Sequence, residues 1–466
     1  MPLIPSEQLA PASGDAPIVG TPPRRGIWPI ARGTDDPLAF LAALSGSSDD
    51  IVSFDIGRRP AFLLNDPALV DDVLVRRTAI FPKGRGYQHA ARLLGSGLLT
   101  ASGALHRDRR RVAQGAFHRQ RVASLAPAIV RHAEQRSSRW NAGEPFDAAR
   151  EMRALTLAIA GETLFGADLE RWSDTVHEAV SLALSPLDGL LAIVAPPARA
   201  RRARRQLAAV VDAVVDARTR DGNRDGGRDG RRGDGAAGDL LAMLLEARDA
   251  AVLAGSDAAI SQAQLHDDVL TFLLASHDTL SHALTWTWLL LSEHADVDRR
   301  LAAEITDVAG TRAVQADDVP RLVYTRAVVA EALRLYPPAW VIVRRAAEAC
   351  QVGSMDIPAG SVLVASPFAM HRRERFFERP LEFLPERWLV ESDRPKLAYV
   401  PFGAGPRACI GESFAWFEAT IVLATLARSW RLERTSHAPV ETSARITLRP
   451  KDEPPMIPVA REFSPV

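Results

Sequence analysis

Apolar and polar positions sort this chain into a long stretch of helical periodicity and a shorter stretch of alternation. The clearest segment is SQAQLHDDVLTFLLASHDTLSHALTWTWLLLSEHADV, residues 261–297. It offers Ser261 as an N-cap, contains no proline, and is apolar nearly all round. That pattern predicts a long helix buried through the middle of the molecule. Helical periodicity also dominates from Leu105 to Leu253, and a further helix over 319–336 ends at Pro337-Pro338. Residues 341–371 alternate and carry turn signals, which predicts short strands. A hairpin is predicted near Ile51–Phe54 and Ala61–Leu64, followed by a short helix. Residues 1–36 read as an extended, proline-punctuated arm. The expectation is a mainly α fold with a minor β region, in one large domain over 37–466.

Composition adds exclusions. Formal net charge is zero, so no nucleic-acid footprint is present. Residues 218–239 are mostly Arg, Asp and Gly; they cannot build a core and are expected to form a mobile loop. The N-terminus lacks a basic segment followed by an apolar one, and no run approaches the roughly 18 apolar residues of a membrane span. The expected location is the cytoplasm, without a transmembrane anchor.

Only two cysteines occur, Cys350 and Cys409, too few for a disulfide framework. Cys409 stands in FGAGPRACIG, residues 402–411. Zinc is a poor fit, because no second ligand lies at a usable spacing. A buried structural cysteine and a Cys–His nucleophile are the other readings. The surroundings point elsewhere. Gly403 and Gly405 permit unusual backbone angles and close approach by a flat ligand. Gly411 is expected to let the following helix pack closely. ESFAWFEATIVLATLARSW is strongly helical, which sets Cys409 just before a helix N-terminus, where a thiolate is favoured. Such a thiolate suits the single protein ligand of an iron centre.

These residues resemble the haem-binding loop of the cytochrome P450 superfamily, FxxGxRxCxG, through Phe402, Gly405, Arg407, Cys409 and Gly411. Other segments resemble the family in the same order. EALR supplies Glu331 and Arg334, and PERW supplies Arg387; the resemblance implies a buried three-way ion network among them. ASHDT, 275–279, resembles the acid–alcohol pair, implying that Asp278 and Thr279 relay protons to dioxygen. Thr279 would face the haem and Asp278 would connect outward to solvent. Ser276 replaces the usual glycine there. GALHRDRRRVAQ resembles the HxxxR element, so His106 and Arg110 would bind haem propionates, with Arg344 and Arg407 as further candidates and Arg345 next to the former. Arg107, Arg109 and Arg111 read as a solvated helix face. Phe402 and Gly403 would complete the haem contact beside Cys409, the iron ligand.

The resemblance covers roughly residues 20–455. It implies the cytochrome P450 fold, with a long central helix over haem b (iron protoporphyrin IX). The implied reaction takes RH, O₂, two electrons and two protons to ROH and water. No flavin- or ferredoxin-like module is attached, so a ferredoxin or flavodoxin-type electron donor with its reductase is implied, docking on the basic face around the haem loop. The substrate is expected to be lipophilic, terpenoid or fatty-acid-like, lined by Thr271, Leu274, Ala275, Ala339, Trp340 and Val341–Val343. A peroxide-driven haem-thiolate enzyme and a non-catalytic haem-binding sensor are the alternatives. The intact Asp278–Thr279 pair weighs against both.

Overall fold

The computed structural model describes residues 36–57, 59–183, 197–224, 239–253 and 261–461. The arm over 1–36 lies outside these residues except Asp36, which caps the helix Pro37–Ser45 by accepting the Leu38 N–H at 2.8 Å.

The helices that frame the site follow in chain order: α1 (Gly103–Gln114), α2 (Ala148–Ala160), α3 (Ser173–Ala183), α4 (Pro197–Arg224), α5 (Gln262–Glu293), α6 (Val323–Leu335) and α7 (Glu412–Ser429). The long helix expected from the apolar run is α5. Ser261 and Gln264 form a reciprocal capping box at its start, satisfying two orphan donors. Helix α2, buried at nearly every position, packs along α5. Thr156 bridges the two helices with a hydroxyl bond to the His277 carbonyl, 3.3 Å. Trp286 on α5 stacks on Tyr336, just past α6, with ring centroids 3.8 Å apart. Such a pair contributes roughly 0.5–1.5 kcal/mol beyond its burial.

The β content is small. Strands β1 (Ile51–Ile56), β2 (Arg59–Leu64), β3 (Ile342–Arg345) and β6 (Val362–Ala365) form one sheet in the order β1-β2-β6-β3. Three two-stranded pieces join β4 (Cys350–Val352) to β5 (Met355–Ile357), β8 (Thr442–Ala444) to β9 (Leu448–Pro450), and β7 (Trp430–Arg434) to β10 (Met456–Ala460). The predicted hairpin is β1–β2, with Ile51 opposite Leu64.

Much of the loop expected over 218–239 lies outside the described residues, but its two ends do not behave as loop. Residues up to Arg224 continue α4, and Asp239 is buried and pairs with Arg218 at 2.9 Å. Arg218 can reach an acidic partner across the fold, a gain that periodicity cannot register.

Candidate active site

The segment from Phe402 to Gly411 turns tightly into α7. Gly403 and Gly405 take φ of 72° and 71°, a region open to glycine without strain. Gly405 also touches the chain: an added Cβ would stand 2.1 Å from the Leu74 carbonyl oxygen. The Cys409 N–H donates to the Phe402 carbonyl at 2.9 Å and closes the loop. Gly411 caps α7, but an added Cβ there would meet only Phe117 at an ordinary 3.5 Å. The close-packing role expected for it is therefore not what the structure requires.

Cys409 is exposed to a recess it lines, yet protein hems it in on its other sides. That burial pushes the free thiol up to about 11, against the Gly411 N–H and the Arg110 charge. A thiolate at this position needs a bound cation, and an iron centre supplies one. Cys350 lies on β4, paired with Ile357, in a separate apolar cluster.

A group of cations gathers beside the loop. Arg110 donates to the Ala408 carbonyl at 2.8 Å, and Arg407 to the Ala101 carbonyl at 2.7 Å. His106 and Arg344 are buried, while Lys83 donates to the Leu99 carbonyl. Arg344, rather than Arg345, is the buried member of the arginine pair. Among the described residues no ion pair engages Lys83, Arg110, Arg344 or Arg407. Burial, with Arg407 and Arg344 adding to it, lowers Lys83 to about 7. Burial, with Arg407, Lys83, Arg110 and Arg107 adding to it, lowers His106 to about 4. A ligand bearing carboxylates would relieve this crowding, as the propionates of haem b do. Lys83 and Tyr87, which bonds Arg344, were not singled out in the sequence. Neither lies in a recognisable motif; Lys83 stood out only as one of three lysines.

One arginine departs from expectation. Arg107 and Arg111 are exposed, but Arg109 is buried and pairs with Asp268 at 2.8 Å. The partner comes from α5, so the helix pattern of α1 alone could not reveal it.

On α5, Ala275 is exposed and Leu274, Ser276 and Thr279 are half-buried, between buried residues 268–273 and 280–291. These positions are open although the helix from Leu280 to Leu291 is buried throughout. Thr279 bonds back to the Ala275 carbonyl at 2.8 Å, and Ser276 to the Phe272 carbonyl at 2.8 Å. Ser276 thus spends its hydroxyl proton on its own helix. Asp278 points elsewhere. It is buried and accepts the Thr447 hydroxyl at 2.8 Å, with His282 Nδ1 3.8 Å away. Burial alone would raise its carboxyl; the His282 and His277 rings and the Thr447 hydroxyl outweigh that and hold it lowered. Toward the outside, Asp278 meets Thr447 of the C-terminal segment, and its side chain keeps about 13% exposure.

Of the expected lining, Leu274, Ala275, Ala339, Val341 and Ile342 are open or half-open, whereas Val343 is buried. Trp340 is buried with its indole N–H on the Arg445 carbonyl, 2.8 Å, and Thr271 bonds the Asp267 carbonyl at 2.8 Å beside Gly97. Both are held in the frame. A cavity of about 370 Å³ between α4 and α5, lined by Arg204, Val211, His266 and Leu270, contains none of the expected site residues.

Behind the loop, Glu331 and Arg334 are fully buried. Arg334 donates to both Glu331 oxygens at 2.8 Å, and Arg387 Nε to one of them at 3.0 Å. The Trp388 indole and the Leu384 N–H complete the carboxylate's partners.

The family model "Cytochrome P450" matches residues 20–454. The chain is 37% identical to cyclooctatin synthase of Streptomyces melanosporofaciens over 85% of each chain. It is 33% identical to cyclooctat-9-en-7-ol 5-monooxygenase of the same organism, again over 85% of each. Pentalenene oxygenase of Streptomyces avermitilis is 31% identical over 94% of each. A six-coordinated cytochrome P450 from Thermus thermophilus superposes with a TM-score of 0.70 at 28% identity, over 91% of this chain and 98% of that one. Among the described residues no helix is long and apolar enough to cross a membrane.

Proposed function

The chain belongs to the cytochrome P450 family, as a haem b monooxygenase, and from that premise we propose that it hydroxylates a lipophilic terpenoid with electrons from a separate ferredoxin- or flavodoxin-type donor and its reductase. The observation that carries this reading is the recess itself. An exposed thiol at a glycine turn, cations beside it without ion pairs among the described residues, and open positions on α5 that include Ser276 and Thr279 support it. The relatives' names denote an alkene and an alkenol as substrates, which suits a lining of Leu274, Ala275, Ala339, Val341 and Ile342.

When bound, haem supplies the reduction of dioxygen and the transfer of one oxygen atom. The chain supplies the rest. Cys409 would hold the iron, and Phe402 and Gly403 would flank the ring. Arg110, Arg344, Arg407, His106 and Lys83 would take the propionates. Thr279 would present a hydroxyl to the recess, and Asp278 would hold the proton that replenishes it. An apolar lining would limit water at the reacting centre and leave proton delivery to this pair. Arg107, exposed on the same helix as Arg110, adds basic surface near the loop for an acidic electron donor.

Cys409→Ser should abolish the red-shifted Soret band of the reduced carbon-monoxide complex, and Cys350→Ser should keep it. The opposite result ends the reading. Terpenoid alkenes, pentalenene among them, should shift the spectrum of the oxidised protein and be hydroxylated with surrogate ferredoxin partners. Turnover with peroxide alone, and none with ferredoxin, would favour the peroxide-driven alternative.

A further inference from the structure

Asp278 is mostly buried, its side chain about 13% exposed, and its far side faces titratable groups of the protein. Four elements meet on its far side. Helix α5 contributes His277, Asp278 and His282; α2 contributes Arg153; α3 contributes His177; and the C-terminal hairpin region contributes Thr447, Arg449 and Glu453. His282 is about 1% exposed, and neither of its ring nitrogens has a hydrogen-bond partner. A buried imidazole with two idle nitrogens is costly and uncommon. Its Nδ1 stands 3.8 Å from Asp278 Oδ2, one helical turn away. That is about 1 Å beyond hydrogen-bond length. Rotation of the ring about its Cβ–Cγ bond changes this separation.

The charges around the ring sum to zero. Arg153 and Arg449 are opposed by Asp278 and Glu453, and all four act on His282. Burial lowers His282, and Arg449 adds to that, while the Asp278 charge opposes it. Burial likewise lowers His177, among Arg153, Glu453, Arg449 and Asp278. His277, fully buried with Nδ1 unpartnered, is lowered to about 4 and stays neutral. A metal does not explain the cluster: among the described residues no group of three or more His, Cys, Asp or Glu is arranged to hold one. The outer end is the Arg153–Glu453 pair at 2.7 Å, where Glu453 is partly exposed.

We propose that His282 is a proton-positioning residue for Asp278, and that His177 and the Arg153–Glu453 pair connect it to the surface. The inference rests on the proton role given to Asp278 above. Neutral His282, carrying its proton on Nε2, takes a second proton on Nδ1 with the ring turned toward the Arg153–Glu453 side; rotation about Cβ–Cγ brings that N–H to Asp278 Oδ2, which accepts it. Asp278 passes that proton on toward Thr279 and returns to the carboxylate. Releasing the Nδ1 proton returns the imidazole to the same neutral Nε2–H form and the ring turns back, so each cycle moves one proton inward and leaves the cluster's charge unchanged. The Thr447 hydroxyl holds the carboxylate oriented toward the ring throughout.

The test uses the haem-loaded protein and the variants His282→Phe, His282→Gln, His177→Phe and Asp278→Asn. One readout is ¹⁵N-histidine NMR of the reduced carbon-monoxide form. It should show His282 neutral at pH 7 in the Nε2–H form, with its Nδ1 signal broadened by proton exchange and the broadening altered by Asp278→Asn. A His282 with no proton exchange at Nδ1, or one blind to Asp278→Asn, overturns the proposal. The other readout is dioxygen consumption with a surrogate ferredoxin, its reductase and pentalenene as probe, in H₂O and D₂O. His282→Phe and His282→Gln should each slow it about tenfold and enlarge the solvent isotope effect. That is less than the ~10²-fold of a group meeting the reacting atoms. His177→Phe, at a half-buried site that tolerates the change better, should act in the same direction. A glutamine variant matching the parent in rate and isotope effect would make His282 merely structural and sink the idea. If Asp278→Asn slows turnover while all three histidine variants do not, only the histidine route is wrong. If Asp278→Asn changes nothing, the role of Asp278 falls first, and this route falls with it.

Discussion

Thr279 and Asp278 are neighbours in sequence and face different worlds. Successive helical residues project about 100° apart, so one of the two can line the recess while the other packs against the C-terminal hairpin. The hydroxyl of Thr279 is anchored on the Ala275 carbonyl, and the carboxylate of Asp278 on Thr447. Their losses should therefore look different. Thr279→Ala keeps haem and substrate binding and still consumes reductant, but diverts much of it to peroxide. Asp278→Asn slows dioxygen consumption instead, on the order of 10²-fold, because the proton supply is cut. Product and peroxide formed per reductant consumed separate the two. Equal coupling and rate in both variants would remove the relay. The pairing of an acid and an alcohol was legible in ASHDT. The enclosure of the acid was not, because Thr447 lies 169 residues further on.

At the scale of elements, the start of α5 clamps the loop that leads into α1. Asp267 accepts the Ser96 N–H at 2.7 Å, and Asp268 the Leu98 N–H at 2.9 Å. Arg109 from α1 then joins Asp268 to the Ser96 carbonyl, 2.8 and 2.9 Å. Gly97 is pressed so close to α5 that a Cβ would sit 2.2 Å from Thr271 Oγ1. The clamp thus sets how α1, which carries His106 and Arg110, lies against the central helix. Both charges are buried, so breaking the pair is worse than never having it. Asp268→Asn should cost roughly 3–5 kcal/mol by stranding Arg109. The joint Arg109→Met, Asp268→Leu change should cost much less than the sum of the single changes. Thermal melting of the four proteins measures this; additive losses would show that the two groups do not depend on each other.

Across the whole molecule, one buried network ties α6 to the cysteine loop. Arg334 holds Glu331 and reaches the carbonyls of His371, Pro380 and Glu382. His371 Nδ1–H donates back to the Arg334 carbonyl at 3.2 Å, and its Nε2 accepts the Val400 N–H at 3.0 Å, two residues before Phe402. Burial would raise Glu331, but the charge and hydrogen bonds of Arg334, with Arg387 behind it, hold it below its usual 4.5. A carboxyl lowered by folding stabilises above its unfolded value and loses that contribution as pH falls through the folded one. The protein should therefore hold its melting temperature from neutral pH down to about 4.5 as far as this group is concerned, then lose stability below it. Glu331→Ala or Arg334→Ala strands buried charge, at roughly 3–5 kcal/mol, and should leave little folded haem protein. Normal yield and spectrum from both would reduce the pair to an ornament of the fold. The network shows where the sequence suffices. Helix α5, the helix before Pro337-Pro338, the β1–β2 hairpin and the cysteine loop follow from periodicity, capping and glycine placement, all of which act over a few residues. The family itself follows from five spaced positions in one loop. What only the tertiary structure decided is which side chains meet across the chain: Arg109 buried on Asp268 rather than solvated, Lys83 and Tyr87 drawn beside Arg344, Asp278 met by Thr447. Those outcomes depend on burial and on partners between about 160 and 260 residues apart. A charge's environment is set by what folds over it, and local sequence pattern carries no record of that.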